Sequence, residues 1–230
     1  MEMTELRSGY VDDKGVLRHA GEKKMTGRQG RGMTNEQYYD LIKPYEDARR
    51  VMNTRLEVLN HSLYKEKNVS GPIHNIQGRL KEKRSIEDKL RRLGFTDSIV
   101  NARNELQDIA GIRVICYFVN DIYNMVNILK RQTDLVVIKE KDYIQSPKPN
   151  GYRSLHLVLG IPVYCLDTME YFPVQVQFRT MAMDFWASME HRVCYKKQPE
   201  NREGLEAEFC RYAHILEEIE NEFEIHNERK

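Results

Sequence analysis

The feature that most constrains the fold is an apolar run near the middle of the chain, in residues 106–118. Ile112, Val114 and Ile115 follow one another there with little polar interruption. Such a run is typical of a central strand that is buried on both faces. A helical pattern with Asp121 at its start and a second strand at 135–138 come next, so the order is strand, helix, strand. The run therefore predicts an α/β fold organised around this strand.

Two later strands alternate in polarity and indicate an open face of the sheet. Residues 154–161 and 171–179 carry apolar side chains at every second position, and such side chains point to one face. If the two strands pair, the other face carries His156, Gln175, Gln177 and Arg179. A solvated face and a binding site both fit this pattern.

The loop before the first of these strands has an unusual composition. Gly151 permits a tight turn, and we expect Tyr152 to lie exposed at its tip between Lys148 and Arg153. An aromatic ring beside cations suits a nucleobase stacked on the ring with its phosphates held by the cations. A plain surface turn is the alternative.

A basic stripe is predicted on a helix across residues 76–93, which Gly94 ends. Apolar Ile86 and Leu90 lie on the side that would face the core. The opposite side carries Lys81, Ser85, Lys89 and Arg92. Three cations and a hydroxyl on one face suit a polyphosphate, although a charged helix face is often only solvated.

The composition excludes several classes of protein. The 230 residues carry a net charge of +1, so attraction for phosphate must come from local clusters rather than from a global field. No apolar run reaches membrane-spanning length and no signal-peptide core is present. The four cysteines have neither a C-x-x-C pair nor zinc-site spacing. We expect a cytoplasmic protein without membrane contact.

The two ends of the chain differ in composition from the middle and are predicted to lie outside the central domain. Residues 1–33 are polar, glycine-dotted and locally basic, and we expect a flexible basic arm that is either a solvated tail or a contact to RNA or a partner. Its cations include Lys23, Lys24, Arg28 and Arg31. We expect Thr34 or Asn35 to cap a helix, with Gln37 at the capping-box position, and Pro44 should separate this helix from a second one at 45–64. Residues 199–230 hold a linker and a last helix that packs on its own domain or on another subunit.

One further helix is predicted at residues 181–196. Its apolar residues recur every three to four positions, so we expect them to be buried. They are Met181, Phe185, Trp186, Met189 and Val193.

Five motifs in register resemble the synthetase domain of the RelA/SpoT family. They are Gly78-Arg79-Leu80-Lys81, 107–113 (QDIAGIR), 151–156 (GYRSLH), 177–180 (QFRT) and 183–191 (MDFWASMEH). The resemblance covers roughly residues 38–197, and we expect a domain at 34–198. Without room for a hydrolase or regulatory region, the chain looks like a stand-alone small alarmone synthetase.

The resemblance implies a fold and a reaction. The fold is a mixed β-sheet flanked by helices, similar to nucleotidyltransferases, with extra N- and C-terminal helices. The reaction is the Mg²⁺-dependent transfer of the β,γ-pyrophosphate of ATP to the 3′-hydroxyl of GDP or GTP, which makes (p)ppGpp-type alarmones of the stringent response. The terminal helix resembles the tail through which that subfamily forms oligomers, and a tetramer is the favoured state.

The resemblance also assigns site residues by motif position. Asp108, which the sequence alone leaves open as a turn residue or a metal ligand, would bind Mg²⁺, and Tyr152 would stack on guanine. The ATP side would consist of Arg79, Lys81, Ser85, Lys89, Arg92 and Arg113. The acceptor side would add Lys148, His156 and Gln177 for phosphate and sugar, and Asp184 for the donors of guanine.

One position departs from the family pattern. A Glu that serves as metal ligand or general base normally stands two residues before the Gln of the QFRT motif, where this chain has Gln175. A carboxamide cannot take up a proton at neutral pH and is a weaker metal ligand. Loss of a general base costs about 10²–10⁴ in rate, so we expect slow turnover with nucleotide binding retained. An engineered substitution, a natural low-activity variant and a different base all fit.

Two other functions compete with this one. The basic arm would suit a toxic relative that pyrophosphorylates the 3′ end of tRNA. Gln175 would suit a nucleotide- or RNA-binding regulator on a retired synthetase fold.

Overall fold

In a computed structural model, the described residues are 32–63, 71–194 and 202–228, together with two short paired strands. These strands, β1 Gly9–Val11 and β2 Leu17–His19, pair antiparallel inside the predicted arm. The rest of residues 1–31, with its four named cations, lies outside the described residues. Met33, placed in the arm by the sequence, is buried in the core.

The sheet that organises the described residues has five strands in the order β3-β4-β7-β6-β5. They are β3 Ile73–Leu80, β4 Ala110–Cys116, β5 Val136–Asp142, β6 Leu155–Cys165 and β7 Thr168–Thr180. The pair β4–β7 is parallel, and the other three pairs are antiparallel. The predicted mixed sheet is therefore confirmed, with the apolar run 106–118 supplying β4 beside the middle strand.

Six helices are described around this sheet. They are α1 Asn35–Leu63, α2 Lys83–Arg92, α3 Ile99–Glu105, α4 Val119–Lys130, α5 Met181–Cys194 and α6 Arg202–Glu228. The long helix α1 packs on the sheet through Tyr45, whose ring meets Phe172 edge to face at 5.3 Å. Among the described helices, none is long and apolar enough to cross a membrane.

Helix α1 differs from the expected pair of helices because it runs straight through Pro44. The capping box is present, since Thr34 Oγ1 accepts from the Gln37 backbone N–H and the Gln37 side chain accepts from the Thr34 N–H. An interior proline costs about 3 kcal/mol. The buried side of α1, which includes Leu41, Met52 and Leu56, offsets this because each such side chain contributes about 1.5–3 kcal/mol.

The predicted helix at 76–93 is wrong in its first part. Ile76 and Gly78 belong to β3, where they pair with Val114 and Ile112 of β4. Helix α2 begins at Lys83, so Lys81 lies in the connection before it. Because β3 is an edge strand with mostly exposed side chains, its sequence lacks the apolar alternation that marks a strand.

The apolar residues of α5 are less buried than expected. Trp186 is buried, together with Met183. The other four predicted core residues, Met181, Phe185, Met189 and Val193, are exposed. Helix α6 splits in the same way, because Phe209 and Ala213 are buried whereas Tyr212 and Phe223 are exposed. Both helices thus keep an apolar side that the described part of the chain leaves exposed.

Candidate functional site

The open face of the sheet carries two rows of residues that run across all five strands. The register aligns His156 of β6 with Gln177 of β7, and Val158 with Gln175. One complete row is Gln77, Arg113, Gln177, His156 and Lys141, and the other is Arg79, Gly111, Gln175, Val158 and Lys139. Alternation therefore places the predicted polar side chains on one surface.

Asp108 lies just before β4 and binds two cations of the predicted ATP stripe. Its Oδ2 is 2.7 Å from both Lys81 Nζ and Lys89 Nζ. Burial raises the pKa of Asp108, but the hydrogen bonds from the two lysines outweigh it and hold that pKa below its usual value. The carboxylate is thus ionised at neutral pH, and its buried Oδ1 has no hydrogen-bond partner among the described residues.

Tyr152 is half-buried, not exposed at a loop tip as predicted, and its hydroxyl is hydrogen-bonded on both sides. Arg179 Nη2 donates to the Tyr152 hydroxyl at 3.0 Å, and that hydroxyl lies 2.9 Å from His156 Nε2. Lys148 Nζ and the Arg179 guanidinium lie 4.7 and 5.2 Å from the ring centre. The ring therefore sits between cations, an arrangement that suits an aromatic partner and a phosphate.

His156 is neutral in this network. Burial, followed by the charges of Arg179, Lys148 and Lys141, lowers the pKa of His156 to about 4. A neutral ring can accept a hydrogen bond from the Tyr152 hydroxyl on Nε2 while Nδ1 acts as a donor. The Tyr143 ring packs edge to face on His156 at 5.3 Å, which fixes the imidazole from a second side.

Asp184, at the start of α5, is held by two arginines. Its Oδ1 lies 2.9 Å from Arg179 Nη1 and 3.2 Å from Arg113 Nη1. Burial and the nearby Arg179 lower the pKa of Arg113. Asp184 therefore adjoins the same arginine that bonds to Tyr152, and one network joins the loop to α5.

Two cavities of the described structure meet at Asp108 and Gln175, which line both. The first, of about 160 Å³, also has Arg79 and Arg113 in its wall. The second, of about 260 Å³, has His156 in its wall. Lys89, Lys139, Lys141 and Tyr143 complete the basic and aromatic lining of the second cavity. Two basic compartments thus adjoin the pair that the sequence singled out as catalytic.

Not every predicted residue reaches these cavities. Ser85 and Arg92 are exposed on α2, and Arg92 Nε donates to the Asp88 carbonyl. Arg153, expected to hold phosphate, is instead buried and forms an ion pair with Glu217 of α6 at 3.0 Å. The other predicted residues line a cavity or contact a residue that does, as Lys148 does through the Tyr143 ring.

The structure also brings residues to the site that the sequence did not predict. Lys139 and Lys141 lie on β5, which extends four residues beyond the predicted strand at 135–138. Their alternation was visible in the sequence and would have placed both on the open face. Tyr143 and Glu105 carry no local signal, because only the fold brings them to the second cavity.

The open face of the sheet carries two basic cavities around a carboxylate. This arrangement is typical of proteins that bind nucleotides through their phosphates. A family model described as "Region found in RelA / SpoT proteins" matches residues 78–200. The chain is 40% identical over 186 residues to the GTP pyrophosphokinase YwaC of Bacillus subtilis. This alignment covers 80% of this chain and 88% of YwaC. It is 35% identical over 164 residues to the GTP pyrophosphokinase YjbM of the same organism, covering 71% and 76% of the two chains.

Solved structures give the same result. The crystal structure of small alarmone synthetase 1 from B. subtilis bound to its product pppGpp superposes with a TM-score of 0.74 and 32% identity. The match covers 84% of this chain and 98% of that chain. Small alarmone synthetase 2 of the same organism gives a TM-score of 0.73 and 37% identity, over 84% and 99% of the two chains. This chain belongs to the RelA/SpoT family, as its motifs predicted.

Proposed function

We propose that this protein transfers the β,γ-pyrophosphate of ATP to the ribose 3′-hydroxyl of GDP or GTP and so makes a (p)ppGpp-type alarmone. The observation that carries the proposal is the meeting of two basic cavities at Asp108 and Gln175. A two-substrate transfer needs both nucleotides held with their reacting atoms close together. The names of the relatives, GTP pyrophosphokinases, support this reaction.

The first cavity is assigned to ATP. Arg79 and Arg113 present guanidinium groups to it, and such groups bind phosphate oxygens in pairs. Lys81 and Lys89, which both bond to Asp108, are assigned to the same phosphates, and Lys89 also lines the second cavity, where the two substrates would meet. Ser85 and Arg92, exposed on α2, are assigned to the outer part of the nucleotide.

The second cavity and the adjoining loop are assigned to the guanine nucleotide. Tyr152 offers its ring to the base, and Asp184 offers a carboxylate to the N1–H and exocyclic amine of guanine. Lys148, His156 and Gln177 are assigned to phosphate and sugar. Lys139 and Lys141 add positive charge in the same wall, which suits the acceptor's 5′-phosphates.

The metal is proposed to be Mg²⁺, held by Asp108. Among the described residues, no cluster of three or more His, Cys, Asp or Glu side chains could hold a metal ion. One carboxylate oxygen without a hydrogen-bond partner nevertheless fits Mg²⁺, which is often bound by one or two carboxylates with phosphates and water. When bound, the ion would act as a Lewis acid and neutralise the negative charge that develops on the phosphates.

Gln175 makes the proposed enzyme slow. Its Oε1 accepts a hydrogen bond from Gln177 Nε2 at 3.1 Å, so the side chain orients its neighbour but cannot remove a proton from the 3′-hydroxyl. Substrate binding does not need that proton transfer. We therefore expect nucleotide affinity to be retained and turnover to be depressed.

The test is a transfer assay with γ-labelled ATP, Mg²⁺ and GDP, GTP or GMP, followed by nucleotide chromatography. Gln175→Glu should raise the rate by about 10²–10⁴, whereas the same substitution at the remote Gln132 should leave it unchanged. Failure of both wild type and Gln175→Glu to transfer label to any guanine nucleotide would refute the proposed function. An unchanged rate in Gln175→Glu would refute the assigned role of that position.

The same assay covers the two competing functions. Deacylated tRNA should remain unlabelled, and the names of the relatives give the tRNA reaction no support. Label on a guanine nucleotide would exclude the retired regulator.

A homo-oligomer is proposed from the uncovered apolar sides of α5 and α6. On α5, Met181, Phe185, Met189 and Val193 recur every four residues and are all exposed. A second copy of the chain would bury such stripes, and a tetramer is the state expected from the resemblance. Light scattering should show an oligomer that Phe185→Glu dissociates; a monomeric wild type would refute this.

The cytoplasm remains our prediction for its location. All four cysteines are free thiols, as is usual in a reducing compartment.

A further inference from the structure

None of the described residues of α6 lines either of the two cavities, yet the helix contacts both structural elements that carry the proposed guanine-binding side chains. One element is the loop at residues 148–154, which carries Tyr152. The other is the junction of β7 with α5, and Asp184 lies in the first turn of that helix. The contacts to each were not predicted from the sequence.

The first contact fixes the loop at Gly151. This residue has a φ of +88°, and α6 passes so close that an added Cβ would lie 2.8 Å from Ala213 Cβ and 2.9 Å from Cys210 Cα. Glycine is therefore required twice over, by the backbone conformation and by the helix behind it. The loop therefore packs directly against α6 at Gly151.

The second contact is the ion pair of Arg153 with Glu217. Arg153 Nη2 lies 3.0 Å from Glu217 Oε1, and Arg153 is only 8% exposed. The Glu217 side chain is 36% exposed, so the buried charge is that of Arg153, which loses its counter-charge if Glu217 is neutralised. The residue directly after Tyr152 is thus tied to α6.

The third contact reaches the start of α5. The Thr180 hydroxyl donates to the carboxylate of Glu220, which is 6% exposed. The same hydroxyl accepts the Met183 backbone N–H at 3.3 Å, so Glu220 is linked through Thr180 to the first turn of α5. Asp184 is the next residue after Met183.

Trp186 joins the three contacts. Its Nε1 donates to the Phe209 carbonyl of α6 at 2.8 Å, and its ring centre lies 6.3 Å from that of Tyr152. The indole therefore touches the loop on one side and α6 on the other.

We propose that α6 positions the acceptor site, with Glu217 and Glu220 as the positioning residues that hold the Tyr152 loop and the Asp184 turn at a fixed separation. This rests on the assignment of Tyr152 and Asp184 to the guanine nucleotide. It makes acceptor binding depend on α6 more strongly than ATP binding, because Arg79 and Arg113 stand on β3 and β4. Arg113 shares an ion pair with Asp184, but its place on β4 is set by the sheet.

The experiment compares Glu217→Gln with Glu218→Gln, and Glu220→Met, which removes the acceptor of the Thr180 hydroxyl, with Glu218→Met; Glu218 is a matched control at an exposed position of the same helix. Calorimetry measures the Kd of GDP and of a non-hydrolysable ATP analogue for each variant. The two test variants should weaken GDP about tenfold, as expected when the binding-competent population falls to about a tenth. ATP-analogue affinity should change less than this, and both affinities of the control variants should stay as in wild type.

Trp186, the only tryptophan in the sequence, supplies a second readout. Its emission should change on adding GDP to wild type, and this change should be smaller in Glu217→Gln. Melting temperatures identify variants that merely unfold. Unchanged GDP affinity in both test variants, or an equal loss of GDP and ATP-analogue affinity, would overturn the proposal. Label transfer by Gln175→Glu tests the function separately, so a failure of α6 as a positioning element is distinguishable from a failure of the proposed reaction.

Discussion

Protonation of His156 should destabilise this protein between pH 6.5 and 4. The folded protein holds this imidazole neutral because it is buried beside Arg179, Lys148 and Lys141, which lower its pKa from 6.5 to about 4. The unfolded chain has no such environment and takes up a proton at the ordinary pKa. Stability from the neutral ring is therefore complete above pH 6.5 and is lost as the pH falls toward 4.

The size of the effect follows from the two pKa values. Each unit of difference is worth about 1.4 kcal/mol, so the full loss is about 3 kcal/mol and is complete near pH 4. At pH 5 the folded ring is still mostly neutral while the unfolded one is charged, which gives a loss of about 1–2 kcal/mol relative to pH 7.

Urea unfolding followed by circular dichroism at pH 7 and pH 5 measures this loss. Because carboxyl groups also titrate in this range, the informative quantity is the difference between wild type and His156→Gln. The wild type should lose about 1–2 kcal/mol more than the variant. His61→Gln, at an exposed position, should behave like wild type. Equal losses in wild type and His156→Gln would refute the idea that the network keeps His156 neutral.

Two further predictions concern the acceptor side. Tyr152→Ala should weaken GDP binding by about 1–3 kcal/mol, the usual worth of a base stacked on an aromatic ring, while ATP-analogue binding stays intact; Tyr152→Phe, which keeps the ring, should retain most of the affinity in calorimetry. An equal loss of both nucleotides would mean that the loop is misassigned. Lys141→Met should raise the pKa of His156 in an NMR titration because it removes one of the charges that lower it. Lys130→Met, whose ion pair with Glu140 is separate from this network, should not, and a matching shift there would contradict the cause given.

The face of the sheet could be predicted because alternation in a strand depends only on local sequence. His156, Gln175 and Gln177 followed from a period of two, and the register confirms that they share a surface. The edge strand β3 could not be found in this way, since its exposed side chains remove the apolar signal. The helix break predicted at Pro44 was wrong for a related reason, because the burial that keeps α1 continuous is a tertiary effect.

Which side chains contact one another in the site was harder to predict than which residues belong to it. Arg153 has the composition of a phosphate ligand, but its partner Glu217 is distant in sequence and only folding brings them together. Lys81 and Lys89 were placed on one helix, yet they meet at Asp108 from a connection and from α2. In each case the residue types were informative, whereas the partner depended on tertiary structure.

The parallel pairing of β4 with β7 has a consequence for the order in which the molecule assembles. Gly111 pairs with Gln175 across the intervening helix and two antiparallel strands, so the contact that joins the cavities is highly non-local. Such contacts form slowly because the loop-closure entropy must be overcome before they contribute. During synthesis from the N-terminus, β4 cannot pair with β7 until β7 has been made, and α6 is made later still. A ribosome-bound chain that ends within β6 would therefore hold most of the phosphate-binding cations but no junction at which the two nucleotides could react.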